Sequence, residues 1–189
     1  LSADGRTAWL VDRRVPELIS LSATSGNFLW SQSLAQAPLG SPLLLDGRLY
    51  LSLPNGVVHC FDASSGELEA TATLPQTLSV GPVATSDGKS ILQIADEGLI
   101  YVLAAGDLKN SQPNYAWLGH DRGAVIVPPT VFQQQLIVTL QRGDQSEMLV
   151  IPLEAAQPTI KRQRLEGNVA APLTIAGQRL LASTAQGKV

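Results

Sequence analysis

The sequence predicts an all-β fold built from repeated units of four short antiparallel strands. Three observations predict it. Turn-forming residues return at nearly constant intervals, apolar residues alternate with polar ones between the turns, and no segment combines a helical apolar stripe with capping residues. The composition agrees, because the 16 glycines and 12 prolines of this 189-residue chain are scattered along its length rather than pooled in one linker.

Four kinds of marker define the repeat. Glycines that close a loop stand 40 residues apart, at Gly26, Gly66 and Gly106. Asp-Gly pairs, which accept the positive φ of a tight turn, occur at 4–5, 46–47 and 87–88, with Ala-Gly at 176–177 as a later relative. Prolines before apolar runs and hairpin glycines keep the same order, at Pro42, Pro82, Pro129, Pro172, Gly56, Gly98 and Gly187.

The second unit shows how the elements follow one another. Its strands are expected at 41–45, 48–53, 57–61 and 67–74, where turn residues separate runs that alternate with a strand period. The first unit begins within its first strand, and the last one stops on entering its third. The units are expected at 1–37, 38–77, 78–124, 125–168 and 169–189, the last incomplete.

Four-stranded units of about 40 to 47 residues stack radially as the blades of a β-propeller. Residues 1–189 are therefore expected to form one partial β-propeller, with about four antiparallel blades and part of another. Open ends would leave strand edges bare, which predicts that the chain is a piece of a larger ring.

The stretch from Ser20 to Trp30 resembles the docking motif of pyrroloquinoline-quinone-type propeller repeats, in its non-catalytic branch. Ser20, Ser22 and Ser25 stand at the alanine, aspartate and threonine positions of that motif, and Gly26 and Trp30 match it outright. The second unit keeps Cys60, Asp62, Ser65 and Gly66 but has Ala70 in place of the tryptophan. The resemblance implies a ring of seven or eight blades.

The motif implies structural roles in blade docking. The glycine permits the tight turn into the outer strand, and the indole can fill the wedge between neighbouring blades. Trp30 is expected to pack between two blades. The expected docking residues are Gly26, Trp30, Gly66, Gly106 and Trp117, the last arriving late after an insertion.

Charge and apolar patterning exclude several function classes. A formal net charge of −3 with only 15% charged residues gives no electrostatic footprint for nucleic acid. No apolar run approaches the roughly 20 residues of a membrane-spanning helix, so no transmembrane segment is expected. No targeting segment is visible at residue 1. Cys60 is the single cysteine and cannot form an intrachain disulfide.

Quinone-dependent alcohol dehydrogenases share the fold that the resemblance implies. Their adjacent cysteines, calcium ligands and catalytic aspartate have no counterpart here, so no catalytic, cofactor-binding or metal residue is assigned and no cofactor is expected. His59 and Cys60 cannot chelate a metal together, because adjacent strand residues point to opposite faces.

Three polar clusters are candidates for binding. His120, Asp121 and Arg122 lie between two glycines in the insertion and form a tentative binding loop; a solvated turn is the simpler interpretation. The segments 12–17 and 161–164 carry arginines and lysine on a hairpin tip and in an outer strand. Both are interpreted first as solvated edge protection.

The leading hypothesis is a non-catalytic propeller that serves as a protein-binding or assembly scaffold, as in outer-membrane assembly lipoproteins. The alternatives are a fragment of a quinoprotein alcohol dehydrogenase and a ligand-sensing extracytoplasmic domain of a bacterial receptor kinase. The resemblance favours a periplasmic or extracytoplasmic location, while the sequence itself leaves the compartment and the partner open.

Overall fold

The computed structural model describes residues 2, 4–110, 114–153 and 159–187. Within those residues the regular structure consists of 17 strands, and no helix is present, so none of them forms a helix that could cross a bilayer. The all-β fold class is therefore confirmed, as is the antiparallel arrangement of the strands.

The strands form five antiparallel sheets, numbered here 1 to 5 along the chain. Sheet 1 has three strands: β1 Thr7–Asp12, β2 Glu17–Ser22 and β3 Phe28–Ser33. Sheet 2 has four: β4 Leu43–Leu45, β5 Arg48–Ser52, β6 Val57–Asp62 and β7 Leu68–Thr73. Sheet 3 has four: β8 Val83–Ala84, β9 Ser90–Ile94, β10 Leu99–Ala104 and β11 Asn114–Trp117.

Sheets 4 and 5 continue the series. Sheet 4 has four strands: β12 Thr130–Phe132, β13 Gln135–Arg142, β14 Gln145–Pro152 and β15 Lys161–Leu165. Sheet 5 has two: β16 Thr174–Ala176 and β17 Arg179–Leu181. In every sheet the strands pair in chain order, so each sheet is an uninterrupted meander.

Turn chemistry accounts for the strand boundaries in sheet 2. Asp46 and Gly47 have φ of 47° and 73°, the left-handed conformation that a two-residue hairpin requires. The turn ending at Gly56, with φ of 89°, separates β5 from β6. The four strands predicted for this unit are all present, with bounds that differ by one or two residues.

The sheets stack face to face, and alternate residues of each strand point to the neighbouring sheets. In β5, Leu49 and Leu51 face sheet 1, whereas Tyr50 faces sheet 3, because they belong to different apolar clusters. Four such clusters fill the four seams. Burial of each large side chain in a seam contributes about 1.5–3 kcal/mol.

The first strands of sheets 2, 3 and 4 lie on the inside of the stack. Strand β8 contacts both β4 and β12, the first strands of the sheets on either side. The last strand of each complete sheet therefore forms the outer rim, with one edge unpaired by its own sheet. This places β7, β11 and β15 where a partner could reach them.

Candidate functional site

The seam between sheets 1 and 2 contains Trp30. Its indole lies directly on Gly66, so that a Cβ added there would stand 2.5 Å from Trp30 Cε3. The ring packs with Leu18, Phe61 and other members of the apolar cluster between the two sheets. Gly66 has φ of 76° and is a buried residue. An outer-strand tryptophan thus rests on the loop of the next sheet.

Gly26 has the same backbone conformation as Gly66 without the close contact. Its φ is 72°, and an added Cβ would meet no atom within 4 Å. In both loops the glycine N–H donates to the carbonyl four residues earlier, Ser22 O at 2.8 Å and Asp62 O at 2.9 Å. The two glycines therefore share one turn, but only Gly66 receives an indole.

Aromatic side chains donate hydrogen bonds across two successive seams in the same way. The sequence analysis did not predict these bonds. Trp9 Nε1 donates to Ala63 O at 3.2 Å across the first seam. The Tyr50 hydroxyl donates to Ala105 O across the second. Trp9 pairs with Ser20 and Tyr50 pairs with Cys60, so the two donors occupy equivalent positions. Alanine directly follows the end of β6 and the end of β10, at 63 and 105. This recurrence was the available sequence signal for the two hydrogen bonds.

The loop of sheet 3 departs from the expected pattern at Gly106. This glycine has no positive φ, unlike Gly26 and Gly66. Strands β6 and β10 end at Asp62 and Ala104, and the residue four positions after Ala104 is Leu108, which is 3% exposed. Gly106 therefore lies two positions before the structural equivalent of Gly66.

The second seam is packed differently as a result. Ala70 pairs with Cys60, as Trp30 pairs with Ser20, so an alanine stands at the docking position of sheet 2. Leu108 and Ala70 both belong to the cluster between sheets 2 and 3. A leucine from the loop thus takes the place that an indole from the outer strand takes in the first seam.

A buried glutamine also crosses the second seam. Gln93 in β9 is fully buried, and its Oε1 accepts a hydrogen bond of 2.5 Å from Ser52 Oγ in β5. Its Nε2 donates to Val80 O at 2.8 Å and to Ile94 O at 3.1 Å. Because a buried amide must be fully bonded to be tolerated, Gln93 fixes the register between the two sheets.

Trp117 stands on the outer rim and faces sheet 2, the opposite direction from Trp30. It pairs with Leu99, which packs in the cluster between sheets 2 and 3. Its indole lies on Gly98 and Gly119, where an added Cβ would come within 2.5 Å and 3.0 Å of the ring. Trp117 is nevertheless 71% exposed, so its environment differs from the seam expected for it.

Tyr115 lies on the same face of β11 as Trp117. It pairs with the buried Tyr101 and is itself 71% exposed. All four residues of β11 are exposed. The outer strand of sheet 3 therefore presents two aromatic side chains, about 7 Å apart by strand geometry, to the outside.

The tentative binding loop lies between sheets 3 and 4, but its histidine is turned inward. His120 is 3% exposed, and its Nε2 is 3.0 Å from Ala95 O. Burial lowers the pKa of His120 below its ordinary value, an effect opposed by the bond to Ala95 O and by nearby carboxylates. His120 Nδ1 is buried and has no hydrogen-bond partner among the described residues. His120 therefore does not lie on the exposed surface of the loop.

Asp121 and Arg122 point outward from that loop. Arg122 Nε lies 3.5 Å from Asp96 Oδ2 and 3.8 Å from Glu97 Oε2 in the β9–β10 hairpin. Asp121 is ion-paired with Arg142 of β13. These ion pairs join the loop to both flanking sheets. Asp121 and Arg122 are exposed residues of the loop.

His59 and Cys60 point to opposite faces of β6, as predicted. His59 Nδ1 is 2.9 Å from Thr71 Oγ1 and its ring meets Phe61 edge-on, while Cys60 packs in the second seam. Burial lowers the pKa of His59 and raises the pKa of the Cys60 thiol. A desolvated thiol of this kind is a poor nucleophile.

The described residues do not fit a quinone site with calcium. The single cysteine is buried, and no group of three histidine, cysteine, aspartate or glutamate side chains in the described part of the chain could hold a metal ion. Several carboxylates serve turns instead. Asp62, for example, accepts bonds from Ser64 and Ser65, which lower its pKa to about 2.

Comparison with known proteins shows which part of the chain matches a known family. Residues 2–69 match the family model described as outer membrane protein assembly factor BamB, a model of pyrroloquinoline-quinone-type repeats. This part of the chain therefore carries repeats of the pyrroloquinoline-quinone type. Among curated relatives, BamB of Salmonella typhimurium is 29% identical over 101 residues, which are 53% of this chain and 25% of that protein. The match therefore spans a quarter of the relative's length.

Solved structures show the same propeller fold as this chain. BamB from Moraxella catarrhalis aligns with a TM-score of 0.63 at 15% identity, over 99% of this chain and 81% of that one. Dihydro-heme d1 dehydrogenase NirN aligns with a TM-score of 0.72 at 15% identity, over 99% of this chain and 41% of that one. An assembly factor and a dehydrogenase thus share the fold, so the fold alone does not assign an activity.

Proposed function

We propose that this chain is part of a non-catalytic propeller that acts as a protein-binding scaffold in outer-membrane protein assembly. In this proposal each sheet is one blade, with the blades divided at 37, 77, 124 and 168, in a ring larger than the chain. The location would be extracytoplasmic, as suits such an assembly. Resemblance to assembly factors supports the class of function.

The observation that carries the proposal is the exposed position of Trp117. A tryptophan that only fills a core is buried, but this one is 71% exposed although its ring is seated on the backbone of Gly98 and Gly119. The backbone of these two glycines packs against one face of the indole, and the other face is exposed. Such a rigid aromatic side chain loses little conformational entropy on binding.

Tyr115 extends the same surface, which we name the aromatic rim: Tyr115 and Trp117 on β11. Tryptophan and tyrosine are enriched among the residues that dominate protein–protein binding energy. Asp121 and Arg122, at the exposed tips of the adjoining loop, would supply the polar margin that such interfaces have. Protein partners fit this combination better than a small molecule, because both aromatic side chains of the rim are exposed.

Site-specific photocrosslinking tests the proposal. A photoreactive phenylalanine analogue replaces Trp117 in the full-length protein within its bacterial host, and adducts are identified by mass spectrometry. We expect adducts with components of the outer-membrane protein assembly machinery. Thr73, exposed on the outer strand of sheet 2, provides the matched control position.

The outcomes separate clearly. Adducts from position 117 that are absent at position 73 support the scaffold. If position 117 yields no protein adduct, or the same adducts as position 73, the aromatic rim is not a partner-binding surface and the proposal fails.

A further inference from the structure

We propose that the outer strand of sheet 4 binds an acidic, extended segment of a partner protein. The binding surface, named here the basic edge, consists of Arg162 and Arg164 on β15 with Arg142 on β13. The inference deepens the proposed scaffold function and rests on it, but it concerns a different strand from the aromatic rim.

The three arginines lie on one face of sheet 4. Arg162 pairs with Leu149, and Arg164 pairs with Glu147, so both point to the side that faces sheet 3. Arg142 and Arg164 border a hollow of about 340 Å³, with Gln145, Ser146 and Glu147 completing its wall. The hollow opens at the outer rim, next to the β13–β14 hairpin.

Among the described residues, ion pairs form with two of these three arginines only. Glu147 Oε2 is 3.0 Å from Arg162 Nη1 and 3.7 Å from Arg142 Nε, so one carboxylate serves two guanidinium groups. Asp121 pairs with Arg142 from the neighbouring loop. Arg164 forms no ion pair within the part of the chain that the structure describes. One guanidinium therefore faces the hollow without an acidic partner.

The surroundings make this excess charge unusual. The chain as a whole carries a formal net charge of −3, yet Lys161, Arg162 and Arg164 fall within four consecutive residues that are all exposed. A guanidinium binds a carboxylate through two parallel hydrogen bonds, which makes carboxylate the matching ligand. Complementary charge therefore favours an acidic partner.

Strand geometry favours an extended segment over a single anion. One side of β15 pairs with β14, and alternate backbone N–H and C=O groups on its other side have no strand partner in the sheet. Arg162 and Arg164 are two residues apart, so a strand added to this edge with a carboxylate at every second residue would meet both. A free phosphate would engage the hollow but leave the edge unused.

The simpler function of cations on an edge strand is to prevent edge-to-edge aggregation. That function needs only the repulsion of like-charged strands and the free-energy cost of burying a charge against a neutral strand. It does not account for an arginine that lines a hollow. The same charges that repel other basic edges would select an acidic strand. Protection against aggregation and selection of an acidic strand are therefore compatible. A binding measurement decides whether the edge also selects an acidic strand.

Fluorescence anisotropy tests the inference with a labelled short peptide in which glutamate alternates with valine. The full chain is titrated at low salt, with the matching glutamine–valine peptide as a control. We expect saturable binding of the glutamate peptide only, and weaker binding as salt screens the exposed charges. In the R162E/R164E variant, affinity should fall by at least about tenfold.

Two further variants keep the result interpretable. R162Q/R164Q removes the charges without placing new acids beside Glu147, and it should also weaken binding severalfold if the charges are required. R13E/R14E, on the exposed β1–β2 hairpin, makes the same change of charge elsewhere and should leave affinity within about twofold. Circular dichroism checks that each variant is folded.

Each failure has a distinct meaning. Absence of glutamate-peptide binding, or equal loss in R13E/R14E, overturns the inference. Binding to phosphatidylglycerol vesicles without binding to the peptide identifies a lipid surface as the occupant and also overturns it. Because the crosslinking at Trp117 does not involve β15, adducts there would leave the scaffold proposal standing even if the basic edge binds nothing.

Discussion

Replacing Gly66 with alanine is expected to destabilise the first seam through two separable effects. The added Cβ would stand 2.5 Å from Trp30 Cε3 and 2.7 Å from Cδ2, well inside van der Waals contact. In addition, alanine would have to adopt φ near 76°. The left-handed conformation costs a non-glycine residue roughly 1–2 kcal/mol.

The clash adds to that backbone effect. The indole is held by Leu18, Phe61 and the other side chains of the seam, so it cannot move without disturbing their packing. Overpacking of this kind typically costs about 1–3 kcal/mol. The total expected loss in the free energy of unfolding is therefore about 2–5 kcal/mol for Gly66→Ala.

Gly26 provides the control, because it has φ of 72° and open space around the added Cβ. Urea unfolding followed by far-UV circular dichroism should give a loss of only about 1–2 kcal/mol for Gly26→Ala. In a Trp30→Ala background, Gly66→Ala should destabilise the chain no more than Gly26→Ala does, because the clash with the indole is absent. Equal destabilisation by the two glycine substitutions in the native background would refute the docking geometry.

Three more predictions follow from the buried polar groups and the rim. Gln93→Leu should lower the free energy of unfolding by roughly 1–3 kcal/mol in the urea assay, because the Ser52 hydroxyl and the carbonyls of Val80 and Ile94 lose their hydrogen-bond partner. An unchanged free energy of unfolding would contradict these hydrogen bonds. Burial lowers the pKa of His120 and of His59 below 6.5 in the folded state, so the unfolded chain binds more protons and stability falls as pH drops through 6.5. His120→Gln should make the melting temperature less sensitive to pH between about 7.5 and 5, and an unchanged slope would contradict the burial of His120. Trp117→Ala should change stability by less than about 1 kcal/mol, as for other exposed positions; a larger loss would mean that the indole supports the fold.

The strands of sheet 2 could be predicted closely because its turns require particular residues. Asp46-Gly47 and Gly56 adopt positive φ, and few other residues do so without strain. Trp30 was expected in the first seam because Gly26 and Trp30 match the docking motif outright. Local chemistry therefore located both the strands and one docking side chain.

Loop length and strand register limited the prediction in sheet 3. Gly106 keeps the 40-residue interval, but the loop after β10 places Leu108 at the position equivalent to Gly66. Trp117 lies three residues after Asn114, which pairs with Val102 at the docking position. An odd offset along a strand reverses the face, so Trp117 points away from the seam expected for it.

The hydrogen bonds between sheets were not predicted from the sequence. The bonds from Trp9 to Ala63 O and from Ser52 to Gln93 join residues more than 40 positions apart and depend on how the sheets stack. The burial of His120 was also missed, because its flanking glycines are typical of a solvated turn. Its actual partner, Ala95 O, comes from the neighbouring hairpin.

Hydrogen–deuterium exchange of the full-length protein tests most directly the idea that it works by binding protein on its outer strands. Exchange is measured with and without the purified outer-membrane protein assembly machinery of the host. The account predicts slower exchange in β11, residues 114–117, and in β15, residues 161–165, with little change in the inner strands. Protection confined to the inner strands, or no protection anywhere, would contradict it.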